Sequence, residues 1–206
     1  VVRQLLLADT HTHDARTGLN RHAWDGSRAM DWADPLTGQS PHAWGRAMGW
    51  YMVALADVLE LLPAGHPSHP ELQALFERMA RVLLSIRYDG VWLQVPDCPD
   101  RPENYPESSA SCMIVYALLK GARLCHLPED IGQMAQQSYR KAVSRFVGRL
   151  KDGRLFLSKC CRSAGLGGMP YRDGSFDYYM SEPVISFDLK GTGAFIQAAC
   201  EMERLP

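Results

Sequence analysis

The chain has 206 residues, of which 46% are hydrophobic and 22% charged, with a net charge of −1. That length supports one domain with a sizeable core. The near-zero charge speaks against a binder of nucleic acid or anionic membrane, and no apolar run reaches the length of a membrane span. The six cysteines form no C-x-x-C pair. Cys112, Cys125 and Cys200 fall in helical patterns and read as small core residues. The scatter predicts reduced thiols and a cytoplasmic setting, without a disulfide framework, metal site or cofactor.

Val1–Ala8 reads as the end of a helix already under way, with no N-cap before it. No signal peptide is visible, and the chain does not begin with Met, so a cut chain is expected. His11 and His13 form H-x-H without a third ligand, which does not make a metal site. LNRHAW, before Asp25, is a strand-like run. His22 within it stands beside Trp24 and Asp25. A His in such a place is either a proton carrier oriented by a carboxylate such as Asp25 or a structural hydrogen-bonding residue. Gly26–Ser40 is loop, marked by Asp34-Pro35 and Thr37-Gly38.

WGRAMGW, Trp44–Trp50, opens the first complete helix, which is expected to run to Leu62. Ser40-Pro41 upstream reads as N-cap and first helical residue. Arg46 and Trp50 are four apart and would share a face. Gly45 and Gly49 cost about 1 kcal/mol each against Ala, so close approach of a backbone or ligand is expected. A planar cation, two indoles and a helix start suit a sugar acid. The alternative is an Arg stacked on a core Trp, with the glycines allowing tight helix packing.

A second helix is predicted from Ser68 or His69 to about Arg87. Asp89–Glu107 is a long loop with four prolines, of the kind that is often functional. Helices follow over Ser108–Cys125 and from Pro128 or Glu129 to about Leu150. Glu107 reads as a charge complement to the helix after it. Lys151–Gly153 is a turn, Arg154–Ser158 a short strand, and Ala164–Pro183 a second long loop rich in Gly and Tyr. Its segment GLGGMPYRDGSFD either closes over a ligand or uses Gly for turns. Tyr178 and Tyr179 either stack on a sugar or fill the rim. The last helix spans Asp188–Glu203.

Helices that open with small or polar residues after long loops alternate with amphipathic helices after short turns. That alternation predicts an α/α toroid, inner helices beginning at one rim. Five full helices and a stub are about half of what six hairpins need. No acidic pair of the usual glycosidase type is evident. Neither a phosphate loop nor a nucleophile elbow is present.

GLNRHAWD, SPHAWGRAMGWY, YPESSASCMIVYALLKG, GLGGMPYRDGSFDYYMSEP and KGTGAF, in that order, resemble the unsaturated rhamnogalacturonyl hydrolases of glycoside hydrolase family 105. The resemblance covers essentially the whole chain, residues 1–206, as the C-terminal portion of one all-α (α/α)6 barrel domain. It implies removal of a terminal 4,5-unsaturated galacturonic acid from rhamnogalacturonan oligosaccharides, as in pectin degradation. In that chemistry an Asp protonates the C4=C5 vinyl ether and water adds at C5. It implies that His22 assists in the active site, that Trp44, Arg46 and Trp50 surround the sugar, and that the loop with Gly167, Gly168 and Tyr171 lines the far side. The Asp itself would fall before Val1, so the isolated chain is expected to be inactive. The missing half of the barrel would be a partner. The other readings are a non-catalytic carbohydrate-binding half-barrel, a split enzyme, or a hydrolase for unsaturated glucuronyl glycosaminoglycan fragments.

Overall fold

The computed structural model describes residues 1–205. Seven helices dominate it: α1 Val2–Thr12, α2 Gly45–Leu61, α3 His69–Ser85, α4 Ser108–Arg123, α5 Glu129–Phe146, α6 Phe176–Ser181 and α7 Leu189–Glu203. Two small antiparallel ribbons accompany them. β1 Val147–Arg149 pairs with β2 Leu155–Leu157, and β3 Cys160–Cys161 pairs with β4 Val184–Ile185.

Helix α4 is the axis of the fold. Every residue from Ser108 to Gly121 is buried. A helix that is apolar or small on all sides must be surrounded, and α4 is packed by α2, α5 and α7. Its first residues, SSAS, are small because other backbones come close there. A Cβ on Gly45 of α2 would lie 3.2 Å from Ala110 Cβ, and one on Gly49 would lie 2.9 Å from Met113 Cβ. Gly191 of α7 sits 3.6 Å from Ser109 by the same measure. The glycines of WGRAMGW therefore serve helix packing, as the alternative reading of that stretch has it.

Helices α3 and α5 form the outer layer. Each buries one apolar face, with Leu72, Leu75, Phe76 and Leu83 on α3 and Ile131, Ala135, Ala142 and Phe146 on α5. The division into inner and outer helices follows the expected alternation. The resulting fold is mostly helical.

Several expected boundaries move. Ser40-Pro41 does not start a helix. Trp44 is the N-cap of α2, while Ser40 Oγ accepts from Ala23 N and donates to His42 O. The start slips because Gly45 N is taken by Gln94 O of the long loop. LNRHAW forms no strand, only isolated bridges at Asn20 and Trp24. Helix α5 stops at Phe146, four residues early, because Val147–Arg149 finds a ladder partner across the KDG turn. The second long loop contains α6, capped by Ser175, whose hydroxyl accepts from Tyr178 N. Of the cysteines read as core, Cys112 is buried but Cys125 and Cys200 are exposed; Cys160 and Cys161 are buried instead. All six are free thiols.

Candidate active site

His22 is the centre of the one place where several expected site residues meet. It lies on an irregular segment held to the chain before α2, its amide donating to His42 O at 3.0 Å. The ring sits 4.7 Å from Trp44 and 5.9 Å from Tyr179, centroid to centroid. Its Nδ1 is 2.7 Å from the Tyr179 hydroxyl. Tyr179 is fully buried on α6, and burial pushes its phenol pKa up. Among the described residues the Tyr179 hydroxyl has Nδ1 as its one hydrogen-bond partner; a protonated phenol donates there, which leaves the imidazole proton on Nε2. Burial, aided by the nearby Arg172 guanidinium, lowers the pKa of His22 from 6.5 to about 4. The ring is thus neutral near pH 7, with an Nε2–H as donor.

Asp25 does not orient His22. It is a half-buried loop organiser, accepting from the amides of Ser27, Ala29 and Met30 and from the Ser27 hydroxyl. Those bonds hold its carboxyl low, at about 2. The ring of His22 is hydrogen-bonded instead to Tyr179, 157 positions from it in sequence.

Trp44 is buried beside His22, its indole N–H donating to Gln94 Oε1 at 3.2 Å. Arg46 lies beneath it, the guanidinium carbon 5.3 Å from the indole centroid. Arg46 is only 2% exposed, and its Nε and NH2 are engaged within the protein. Nε donates to Ser109 Oγ at 2.7 Å, and NH2 reaches Glu107 Oε1 at 3.4 Å and the Cys161 carbonyl. Burial opposes the guanidinium charge, and Glu107 outweighs it. Glu107 is itself fully buried and caps α4, accepting from Ala110 N at 2.6 Å, from Ser109 Oγ and from Cys161 N. Arg46 therefore ties α2, α4 and β3 together through Nε and NH2, and among the described residues its NH1 has no hydrogen-bond partner. Trp50, one turn on, does not share its surroundings. It is half exposed and lines a groove with Leu189, Lys190 and Gly193 of the α7 region.

The glycine loop carries a second guanidinium, that of Arg172. Arg172 Nε donates to Gly167 O at 2.7 Å and NH2 to Leu166 O at 3.5 Å. Among the described residues it has no carboxylate partner. Gly167 and Gly168 both have positive φ, 65° and 80°. A Cβ at Gly168 would come within 2.7 Å of Arg172 NH2, and one at Gly167 would come 3.1 Å from Met30 Cε. The glycines let the loop fold around the guanidinium and lie against the loop carrying Met30. Tyr171 is exposed at 44%, next to Arg172 in the sequence. Sequence reading singles out the loop, its glycines and Tyr171 but gives Arg172 no role; the signal is an Arg flanked by glycines and tyrosines.

A protein-family model described as Glycosyl Hydrolase Family 88 matches residues 1–206. The chain belongs to this family. Its solved neighbours place it with the members classed as family 105. A family 105 glycoside hydrolase from C. acetobutylicum ATCC 824 is 45% identical and superposes with a TM-score of 0.97, over 99% of this chain and 57% of that one. The 24.9 kDa protein in picA locus of Rhizobium radiobacter is 38% identical over 206 residues, 97% of this chain and 88% of that protein. The unsaturated rhamnogalacturonyl hydrolase YesR of Bacillus subtilis is 32% identical over 112 residues, 54% of this chain and 30% of YesR. This family 88/105 member thus spans little more than half of the Clostridium chain and under a third of YesR, and nearly all of the Rhizobium one. Its solved relatives have the α/α-barrel fold, to which the inner and outer helices here correspond.

Proposed function

We propose that this chain supplies the sugar-acid side of the active site of an unsaturated rhamnogalacturonyl hydrolase. The observation that carries the reading is Arg172, a guanidinium with no carboxylate partner among the described residues, beside a neutral His22 and the Trp44 indole. A fork of N–H donors matches a carboxylate in bidentate fashion. The flat indole suits a sugar ring. The Nε2–H of His22 then donates to a ring or carboxylate oxygen, which orients the substrate.

The reaction begins with a proton delivered to C4 of the unsaturated uronate by an Asp. Water adds at C5, its proton returning to that carboxylate, and the hemiketal opens to release the aglycone. The resemblance matches no residue of this chain to that Asp. We take it to lie in the part of the barrel outside these residues, which is consistent with the chain's 57% share of the Clostridium enzyme. That part of the ring is the partner this reading requires, whether in the same polypeptide or another, and the 206 residues alone are then inactive. Arg46 and Glu107 act as positioning residues, and Trp50, in the groove beside α7, lies outside the His22 cluster. The galacturonyl substrate follows the name of YesR. A cytoplasmic setting accords with six free cysteines.

Calorimetric titration with an unsaturated galacturonyl-rhamnose disaccharide tests the reading. Binding is expected to the wild-type chain and to be lost in Arg172→Gln without loss of helical circular dichroism. Unchanged binding in Arg172→Gln would remove Arg172 from the site. Equal or better binding of an unsaturated glucuronyl-hexosamine disaccharide would move the substrate class.

A further inference from the structure

A second set of reactive side chains lies just behind His22, and the proposed hydrolase chemistry does not use it. His42 Nδ1 stands 3.0 Å from Asp97 Oδ2 and 3.4 Å from Cys98 Sγ. All three ligating atoms lie within 4.8 Å of one another. Among the described residues this is the one group that brings three such side chains to a point. A tetrahedral zinc ion, with bonds of about 2.0–2.3 Å to N, O and S, holds its ligand atoms roughly 3.3 to 3.6 Å apart. The spacing around His42 already approaches that geometry.

We propose that His42, Asp97 and Cys98 form a binding site for a thiophilic divalent cation of the zinc class. The three ligands differ in kind, and imidazole with thiolate selects zinc or copper over magnesium or calcium. The carboxylate is already held in place by its neighbours. Ala43 N donates to Asp97 Oδ1 at 3.1 Å and Arg21 NH1 to Oδ2 at 3.0 Å. Outer hydrogen bonds of this kind fix ligating carboxylates in metal sites. The Arg21 charge does not depend on Asp97 for neutralisation, because its NH2 pairs with Asp14 at 2.6 Å and its NH1 also reaches the Pro41 carbonyl. One carboxylate and one thiolate then neutralise the dication. Cys98 is partly exposed and His42 keeps about a quarter of its side-chain surface, so the site has an entry.

Coordination uses the thiolate form of Cys98, so binding displaces the thiol proton to solvent. Three protein ligands leave a fourth position for water or an exogenous anion. This inference stands apart from the sugar-acid reading, and its test uses no turnover.

Titration of the reduced, metal-free chain with cobalt(II) is expected to give one equivalent of a thiolate-to-cobalt charge-transfer band in the near ultraviolet, which zinc abolishes. Cys98→Ser should lose the band, and His42→Gln should weaken zinc binding by more than the roughly 10–100-fold that loss of an outer-shell partner costs. Cys125→Ser, at an exposed cysteine elsewhere, should leave both unchanged. No band at one equivalent, or a band that survives Cys98→Ser, would overturn the site. A native circular dichroism spectrum for each variant keeps unfolding out of the comparison.

Discussion

Arg46 of α2 and Glu107 at the head of α4 form a buried ion pair, 3.4 Å apart, with side-chain exposures of 3% and 0%. The pair closes a network with Ser109, Ala110 N and the backbone of Cys161, so three elements meet at one guanidinium and one carboxylate. Removing either charge strands the other in a site with little water. Arg46→Ala is expected to destabilise the fold by about 3–5 kcal/mol, the usual cost of breaking a buried pair. Urea denaturation followed by circular dichroism measures this. A loss under about 1 kcal/mol would mean that Arg46 is free to serve the ligand directly.

Gly49 and Gly193 are both helical glycines with opposite surroundings. A Cβ at Gly49 would meet Met113 Cβ at 2.9 Å and Ala110 O at 3.4 Å, whereas nothing lies within 4 Å of one at Gly193. Gly49→Ala should cost about 1–3 kcal/mol by overpacking α2 against α4. Gly193→Ala should gain up to about 1 kcal/mol from helix propensity. Thermal melts of the two variants, side by side, check the sign of each.

His22 should titrate far below the ordinary histidine. Its pKa falls from 6.5 to about 4, first through burial and then through Arg172. Between those values the unfolded chain holds a proton that the folded chain does not, so stability drops as pH falls through that window. Imidazole NMR resonances are expected to shift with a midpoint near pH 4, and Arg172→Gln to raise it. His22→Gln should flatten its share of the stability slope. A midpoint at 6.5 would mean a solvated ring without the Tyr179 bond.

Gly168→Ala should displace Arg172. The φ of 80° disfavours any L side chain, and the added methyl would sit 2.7 Å from NH2. The expected result is a loss of unsaturated-uronate binding of the same order as in Arg172→Gln, with stability lowered by about 1–2 kcal/mol. Calorimetry and a urea titration separate the two effects. Full binding in Gly168→Ala would show that the loop reaches the ligand without that glycine.

The helices are legible because they are written in local signals. Glu107, Ser175 and Asp188 cap α4, α6 and α7 with their own side chains, yet only the first and last of these helices can be anticipated, since six residues leave no apolar period. The site is legible in part. His22 and Trp44 do come together, and the glycine loop does carry a cation. The partner of His22 differs from the expected one, because Asp25 is near in sequence while Tyr179 is near in space.

WGRAMGW marks the boundary between what the two levels decide. Amino-acid order by itself determined that this stretch begins a helix, that its glycines need a close neighbour and that its Arg needs an acceptor, because propensity and desolvation are properties of the residues. Which neighbour and which acceptor were settled by tertiary structure alone. Helix α4 passes close enough to fill the glycine faces, and its capping Glu107 reaches Arg46 NH2. A buried guanidinium binds the carboxylate that folding brings to it, and that choice is made 61 residues away.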